Sequence, residues 1–400
     1  MSGAEKRRKL WEKGYPLDKR IEEFTVGEDY ILDQKLIRYD CLASIAHAKM
    51  LGKIGLLKEA EVKKLVDELN HIIDLDKRKK FEISKEQEDC HTAIENYLTD
   101  KLGGLGEKIH TARSRNDQVL TALRLYYKDE LNHCRNLIDE LVKSIEDFVE
   151  RYGEIKFPGY THMRKAMPSS IALWSNSFVE SMEDDLKIVD LAFNLLDQSP
   201  LGTGAGYGVP LEIDRECTAK LLGFRKVQGN PIYAQNSRGK FETTILHALS
   251  QVMFDLNKIA SDLILFSMGE FGYFELPEEF CTGSSIMPQK RNPDVLELIR
   301  ARYHELVSLE FRVKSMISNL PSGYNRDLQL IKEPMMYGFE IAEESLSIMA
   351  LVFGELKVNE KNCGKAMTDD LYAAEEVYEL VKKGVPFREA YRKIGERYRG

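Results

Sequence analysis

Proline and glycine are scarce in this chain, at 12 and 27 of 400 residues, and apolar residues make up 43% against 30% charged. That balance excludes a collagen-like or disordered polymer. No apolar run approaches the roughly 18 residues that cross a bilayer, so no membrane partner is expected. The six cysteines (Cys41, Cys90, Cys134, Cys217, Cys281 and Cys363) lie far apart, with no CxxC pair and no Cys/His cluster at zinc spacing. This excludes a disulfide scaffold and a zinc site, and points to cysteines used as small core residues in a reducing compartment. The N-terminal stretch is basic but lacks an apolar centre, and Glu5 and Glu12 interrupt it, so neither a secretory signal nor a transit peptide is expected. A net charge of −8 gives no support for nucleic-acid binding. A soluble, cytoplasmic protein is the expectation.

The length exceeds one compact core and implies several domains or an elongated architecture. Glycine and proline are absent from 116–152, 169–199, 240–268 and 294–320. Average helices span only about 11–12 residues, so these stretches predict unusually long ones. Apolar residues recur at helical spacing in the first, from Leu123, Tyr127 and Leu131 to Ile145, Phe148 and Val149. A fifth helix is predicted over 335–353, tolerating Gly338. Such helices need an extended bundle, completed by other subunits. Asn292-Pro293-Asp294 reads as an N-cap, a first-turn proline and a favourable acidic residue, and Gly153 as a C-terminal cap. The predicted class is all-α with three domains: 1–111, a central long-helix domain 112–353, and a short C-terminal domain 354–400. Polar connections are predicted over 153–168, 200–239, 276–293 and 320–334.

Four of these polar stretches, with the start of the first long helix, carry the chemistry. The glycine string 202–208 misses the dinucleotide fingerprint because its third glycine position is Tyr207, and no Lys-Ser/Thr follows for a phosphate loop, so a tight connection is predicted. The stretch 281–293 crowds Ser284, Ser285, Lys290 and Asn292 into a loop before a helix, a receptor for a carboxylate or developing oxyanion, or else a plain surface loop. Gly283 and the polar run before Pro288 would let it close over a substrate. His162 lies beside Thr161 between two long helices, where a lone histidine is more often structural than catalytic. HTARSRNDQV (110–119) sets two guanidinium groups beside a helix start, which suits either carboxylate binding or capping. The run from Tyr324 to Gln329, with Lys332 beyond, reads equally as a solvated face.

Together these segments resemble the fumarase/aspartase superfamily and, within it, the argininosuccinate lyases. GSSIMPQKRNP (283–293) is similar to the superfamily signature, while HTARSRNDQV, PGYTHMRKAMP (158–168), LPSGYNRDLQLIKEP (320–334) and KGVPFREAY (383–391) are similar to the lyases in particular. EDCHTAIE (88–95) and PLGTGAGYGVPLEIDRE (200–216) fit as well, so the resemblance covers essentially the whole chain. It implies reversible cleavage of argininosuccinate to arginine and fumarate without metal or organic cofactor. It also implies a homotetramer whose helices form a 20-helix bundle, with active sites shared between subunits.

The resemblance assigns roles residue by residue. Ser284 is the base, its alkoxide stabilised by loop N–H groups and Lys290. His162 is the general acid, its imidazolium held by Glu297. Asn292 binds substrate carboxylate or positions the loop. Ser114, Arg115, Asn116, Thr161, Arg238, Tyr324, Gln329 and Lys332 match substrate-binding positions, while Asp89 and His91 lie in a family motif with no role assigned. The chain departs from the family pattern at Arg164–Met167, at Ser237 and Gly239 on either side of Arg238, in a shorter C-terminal domain, and at Asp29. There the family carries a substrate-contacting serine, and a carboxylate could meet the substrate's guanidinium. The alternatives are another fumarate-releasing lyase, such as one acting on adenylosuccinate, or a non-catalytic, crystallin-like descendant.

Overall fold

The computed structural model describes residues 18–398; the basic N-terminal stretch 1–17 lies outside the described residues, as do 399–400. The five long helices form: α1 (Arg115–Tyr152), α2 (Ile171–Leu196), α3 (Lys240–Ser267), α4 (Asp294–Ile317) and α5 (Lys332–Glu355). At 1.5 Å per residue, α1 alone runs roughly 57 Å. No helix among the described residues is long and apolar enough to cross a membrane.

The chain divides into two compact units, and each long helix contributes residues to both. The first comprises 1–132, 190–246 and 309–337; the second comprises 133–189, 247–308 and 338–400. In the first unit, helices Ile37–Lys53, Glu59–Lys77 and Cys90–Leu102 bury Ile37, Met50, Leu51, Leu65, Leu69 and Leu98. In the second, aromatic rings make the core. Phe148 meets Phe353 edge-on at 5.5 Å, Trp174 lies 5.0 Å from Phe274, and Phe157 meets Phe266 edge-on at 5.8 Å. Such pairs add about 0.5–1.5 kcal/mol each beyond the burial of their area. The indole N–H of Trp174 donates to Asp262 at 2.9 Å, so its burial leaves no polar atom stranded.

Three boundaries differ from the sequence reading. The connection at 153–168 contains an antiparallel hairpin, β1 (Lys156–Thr161) and β2 (Arg164–Ser170). Pro158 and Pro168 argue against a strand, yet they face each other across a two-stranded ribbon, whose outer edges need no ladder donor. Helix α4 starts at Asp294, with the Pro293 carbonyl accepting from Leu296 and Glu297, so Asn292 is not its N-cap. Helix α5 begins before Pro334, because a first-turn residue needs no N–H. Gly153 follows α1 for reasons of space: an added Cβ would lie 2.6 Å from the Val149 carbonyl oxygen.

The glycine string is a tight connection with a specific occupant. Ser114 and Asp117 form a capping box at the start of α1: Ser114 Oγ accepts from the Asn116 N–H, and Asp117 Oδ1 from the Ser114 N–H at 2.9 Å. The other oxygen of Asp117 accepts from the N–H groups of Gly202 and Gly204, both at 2.9 Å. Gly204 needs its missing side chain, since φ is +58° and a Cβ would lie 2.8 Å from the Gly208 carbonyl oxygen. The loop thus wraps an internal carboxylate. Replacing Asp117 by Ala strands the buried N–H groups of Gly202 and Gly204 and the half-buried one of Ser114, and we expect a stability loss of roughly 3 kcal/mol or more in urea melts. Proteolytic nicking between residues 200 and 210 should accelerate; Asp117→Asn, which keeps an acceptor, should lie between the two.

Candidate active site

Five separated segments of the first unit line one cavity of about 500 Å³. Asp29 comes from the N-terminal region, Asp89 and His91 from the helix at 90–102, and Ser114, Arg115 and Asn116 from the start of α1. Arg238 precedes α3, and Tyr324, Arg326, Gln329 and Lys332 come from the segment leading into α5. Seven of the sequence-predicted substrate positions are therefore brought together: Ser114, Arg115, Asn116, Arg238, Tyr324, Gln329 and Lys332.

Ion pairs set the walls. Asp89 caps the helix at 90–102, accepting from the Thr92 N–H at 2.8 Å, and its other oxygen takes the Arg115 guanidinium. Burial works against its charge, but His91 and Arg115 hold its carboxyl below the ordinary range. Lys332 sits at the N-terminus of α5, where the helix dipole opposes a cation. Asp33, fully buried, answers it at 2.6 Å and accepts from the Cys90 N–H with its second oxygen. Asp29 stands 3.3 Å from the same ammonium.

A second chain of contacts orients the cavity's far wall. His91 pairs with Asp40, which also accepts from Ser44 at 3.1 Å and from the Gln118 amide at 3.0 Å. Ser44 in turn accepts from Arg113 at 2.8 Å. Despite burial, His91 holds Asp40 down at about 2, and the burial of His91 itself is outweighed by Asp40, which holds the imidazole above its ordinary range. Sequence reasoning missed Asp40, Ser44 and His47. The signal was their spacing, a polar stripe at i, i+4 and i+7 within an otherwise apolar helix face. Arg326 was missed too; it lines the cavity and donates to the Thr25 carbonyl at 2.8 Å.

Asp33, Cys90 and His91 place ligand atoms within 4.8 Å of one another, the spacing a metal ion needs. Their chemistry does not suit one. Lys332 occupies Asp33, Asp40 occupies His91, and burial pushes the Cys90 thiol well up.

The remaining predicted residues belong to the second unit. The loop after Cys281 is closed at its neck by reciprocal backbone bonds between Thr282 and Asn292, at 3.1 and 2.8 Å, with the Asn292 amide donating to the Gly283 carbonyl at 3.3 Å. Asn292 therefore shapes the loop. Ser284 Oγ accepts from the N–H groups of Met287 and Ile286, at 3.2 and 3.4 Å. Lys290 is exposed. His162 and Met163 occupy the two central positions of the hairpin turn, with φ of +52° and +58°, beside the exposed Thr161. That turn ordinarily takes Asn-Gly, so two bulkier residues there carry backbone strain of the kind found at functional sites. His162 and Glu297 are both exposed and form no hydrogen bond or ion pair with each other among the described residues.

The departures have structural reasons. Ser237 is buried and accepts from Arg124 and Gln228, both at 3.1 Å. Gly239 has φ of +80° and packs so closely on Ile317 that a Cβ would lie 2.3 Å from its Cγ2. Lys165 donates to the Ala366 carbonyl at 2.6 Å, tying the hairpin to the C-terminal segment. Nothing in the structure explains Arg164 or Met167.

His47 supplies a pH test of the scaffold. It is buried, and its Nε2–H donates to the Thr111 carbonyl at 2.8 Å, beside the start of α1. Burial, with Arg113 nearby, depresses its pKa from 6.5 to about 3. A histidine held neutral contributes stability that is fully present above pH 6.5 and is lost as pH falls toward 3. The contribution is on the order of 5 kcal/mol at 1.36 kcal/mol per unit. In urea melts across that range, His47→Gln should flatten the acid decline.

A family model described as "Lyase" matches residues 4–306. The argininosuccinate lyase of Thermotoga neapolitana is 55% identical over 98% of this chain and 98% of that enzyme. That of Phocaeicola vulgatus is 42% identical over 97% of this chain and 87% of that enzyme. Among solved structures, EDDS lyase in complex with formate superposes with a TM-score of 0.79 at 21% identity, covering 95% of this chain and 76% of that one. Class II fumarase from Schistosoma mansoni gives 0.78 at 16%, covering 95% and 93%; at these identities the structures speak to the fold alone. With the near-full-length identity added to a helical fold and a cavity built from the expected segments, the chain belongs to the argininosuccinate lyase family of the fumarase/aspartase superfamily.

Proposed function

We propose that this protein cleaves argininosuccinate reversibly to arginine and fumarate, in arginine biosynthesis, as a cytoplasmic enzyme. The observation that carries this reading is the single cavity into which Ser114, Arg115, Asn116, Arg238, Tyr324, Gln329 and Lys332 converge. A tricarboxylate whose two halves are joined by a cationic guanidino group needs such a receptor of guanidinium and amide donors.

The reaction is a β-elimination. A base removes a proton from the carbon beside a carboxylate, charge accumulates on that carboxylate, and the guanidino nitrogen leaves with a proton from an acid. Ser284 is the base. A hydroxyl is a weak base until its alkoxide is stabilised, and the two backbone N–H groups of Ile286 and Met287 already point at Ser284 Oγ. Lys290 adds positive charge once the loop closes. His162 is the acid, with Glu297 to hold its imidazolium, while Thr161 and Asn292 complete the substrate contacts. Of these, Thr161, His162, Ser284, Lys290, Asn292 and Glu297 all lie in the second unit, which suits active sites shared between the copies of a homotetramer. Exposed apolar side chains along the long helices support such an assembly, among them Leu173, Phe311 and Leu351 at 67%, 71% and 51% exposure. The division into domains 1–111, 112–353 and 354–400 belongs to the same proposal.

Fumarate released from argininosuccinate, followed by ultraviolet absorbance, tests the function, with adenylosuccinate as the competing substrate. We expect release from argininosuccinate alone, abolished by Ser284→Ala. His162→Asn should slow turnover by ~10²–10⁴, roughly 3–5 kcal/mol of barrier. Release only from adenylosuccinate would overturn the substrate assignment, and a near-wild-type rate in His162→Asn would remove that residue from the chemistry. Light scattering should give a tetramer.

A further inference from the structure

Two carboxylates line the cavity, and they differ in what they already hold. Asp89 is fully committed: one oxygen caps a helix and the other takes Arg115. Asp29 is not. Its one partner among the described residues, Lys332, lies 3.3 Å away and is already neutralised by Asp33 at 2.6 Å. Around them the cavity presents Arg115, Arg238 and Arg326, donors suited to the three carboxylates of the proposed substrate. Among the described residues, no other carboxylate lines the wall to meet its positive charge.

We propose that Asp29 is a specificity-determining residue that accepts a cationic group of the substrate's arginine half, its guanidinium or its α-ammonium, an inference that rests on the functional reading above. Arrival of that cation supplies the counter-charge that Lys332, shared with Asp33, cannot give in full. The groups facing Asp29 are Lys332, Asp33 and Arg326, with Asp89, His91 and Arg115 on the same cavity wall. Burial raises the Asp29 carboxyl to about 6, with Lys332 opposing the rise. Only the ionised form attracts a cation, so substrate affinity should weaken as pH falls through 6.

The test uses the full-length enzyme with Asp29→Ser and Asp29→Asn. At pH 8 both should raise KM for argininosuccinate tenfold or more with kcat within a few-fold, and the rise of KM below pH 6 seen in the wild type should vanish. Product inhibition separates the two cationic groups. If the α-ammonium is the ligand, the wild type prefers arginine over 5-guanidinopentanoate; if the guanidinium is the ligand, it prefers arginine over citrulline. Asp29→Ser erases whichever preference holds. An unchanged KM and pH profile in Asp29→Ser would overturn the inference while leaving the lyase reading intact. If the wild type releases no fumarate, that reading falls, and calorimetry of arginine binding to wild type and Asp29→Ser decides the role of Asp29. Tenfold weaker binding to the variant supports it, and equal binding refutes it.

Discussion

The carboxylate of Asp117 organises the first unit. It accepts N–H groups from Ser114, Gly202 and Gly204, and so ties the first turn of the longest helix to a loop 85 residues further along the chain. The attachment reaches further through packing. Gly206 lies against Gln235, three residues before Arg238, and Gly323, beside Tyr324, lies under the Tyr207 ring. Burial pushes the Asp117 carboxyl upward and the three N–H groups pull it back, which is the balance of a buried anion satisfied by backbone dipoles. A glycine-rich loop that elsewhere cradles a phosphate here cradles part of its own chain. The same residues therefore cap a helix, fold a loop and hold two walls of the cavity at a fixed spacing.

That spacing matters because the cavity is lined by charges that would otherwise repel or collapse. Arg115, Lys332 and His91 each have a carboxylate behind them, in Asp89, Asp33 and Asp40. Burying such pairs costs desolvation that their attraction only partly offsets, so they contribute little net stability. What they contribute is orientation. A guanidinium or ammonium fixed from behind presents its remaining donors to the cavity without reorganising when substrate arrives. Arg238 is placed by other means, stacking 5.4 Å over the Tyr324 ring, with two of its nitrogens buried and without a hydrogen-bond partner among the described residues.

The long helices were legible because their evidence is local: the missing glycines and prolines, and an apolar period, both survive without knowledge of contacts. The hairpin at 156–170 was not, since two prolines and a polar composition mimic a loop, and only the facing of Pro158 and Pro168 reveals the ribbon. The substrate segments were legible as a resemblance, but HTARSRNDQV read alone left capping and binding equally open. The structure shows the capping, by Ser114 and Asp117, and sets Arg115 and Asn116 of the same motif in the cavity lining. Asp40 and His47 went unassigned because their partners, His91 and the Thr111 carbonyl, are 51 and 64 residues away.

The cavity residues and the groups proposed for the chemistry follow opposite rules in this chain. Most of the cavity residues are half-buried or buried and held by partners, with Arg326 exposed and Asp29 and Arg238 keeping atoms to spare, whereas Thr161, His162, Lys290 and Glu297 stand exposed on a turn, a loop and a first helical turn. Ser284 is intermediate: its loop is pinned at the neck by Thr282 and Asn292, and its hydroxyl is already met by two N–H groups. A group that must exchange protons cannot be locked into a buried ion pair, because each change of charge would then cost the pair. It is better carried on an element that is rigid at its base and free at its tip, then desolvated only when substrate covers it. On the roles proposed for His162 and Ser284, the strained His162–Met163 turn and the pinned loop are two solutions to that one requirement, built from a hairpin and from a bridged loop.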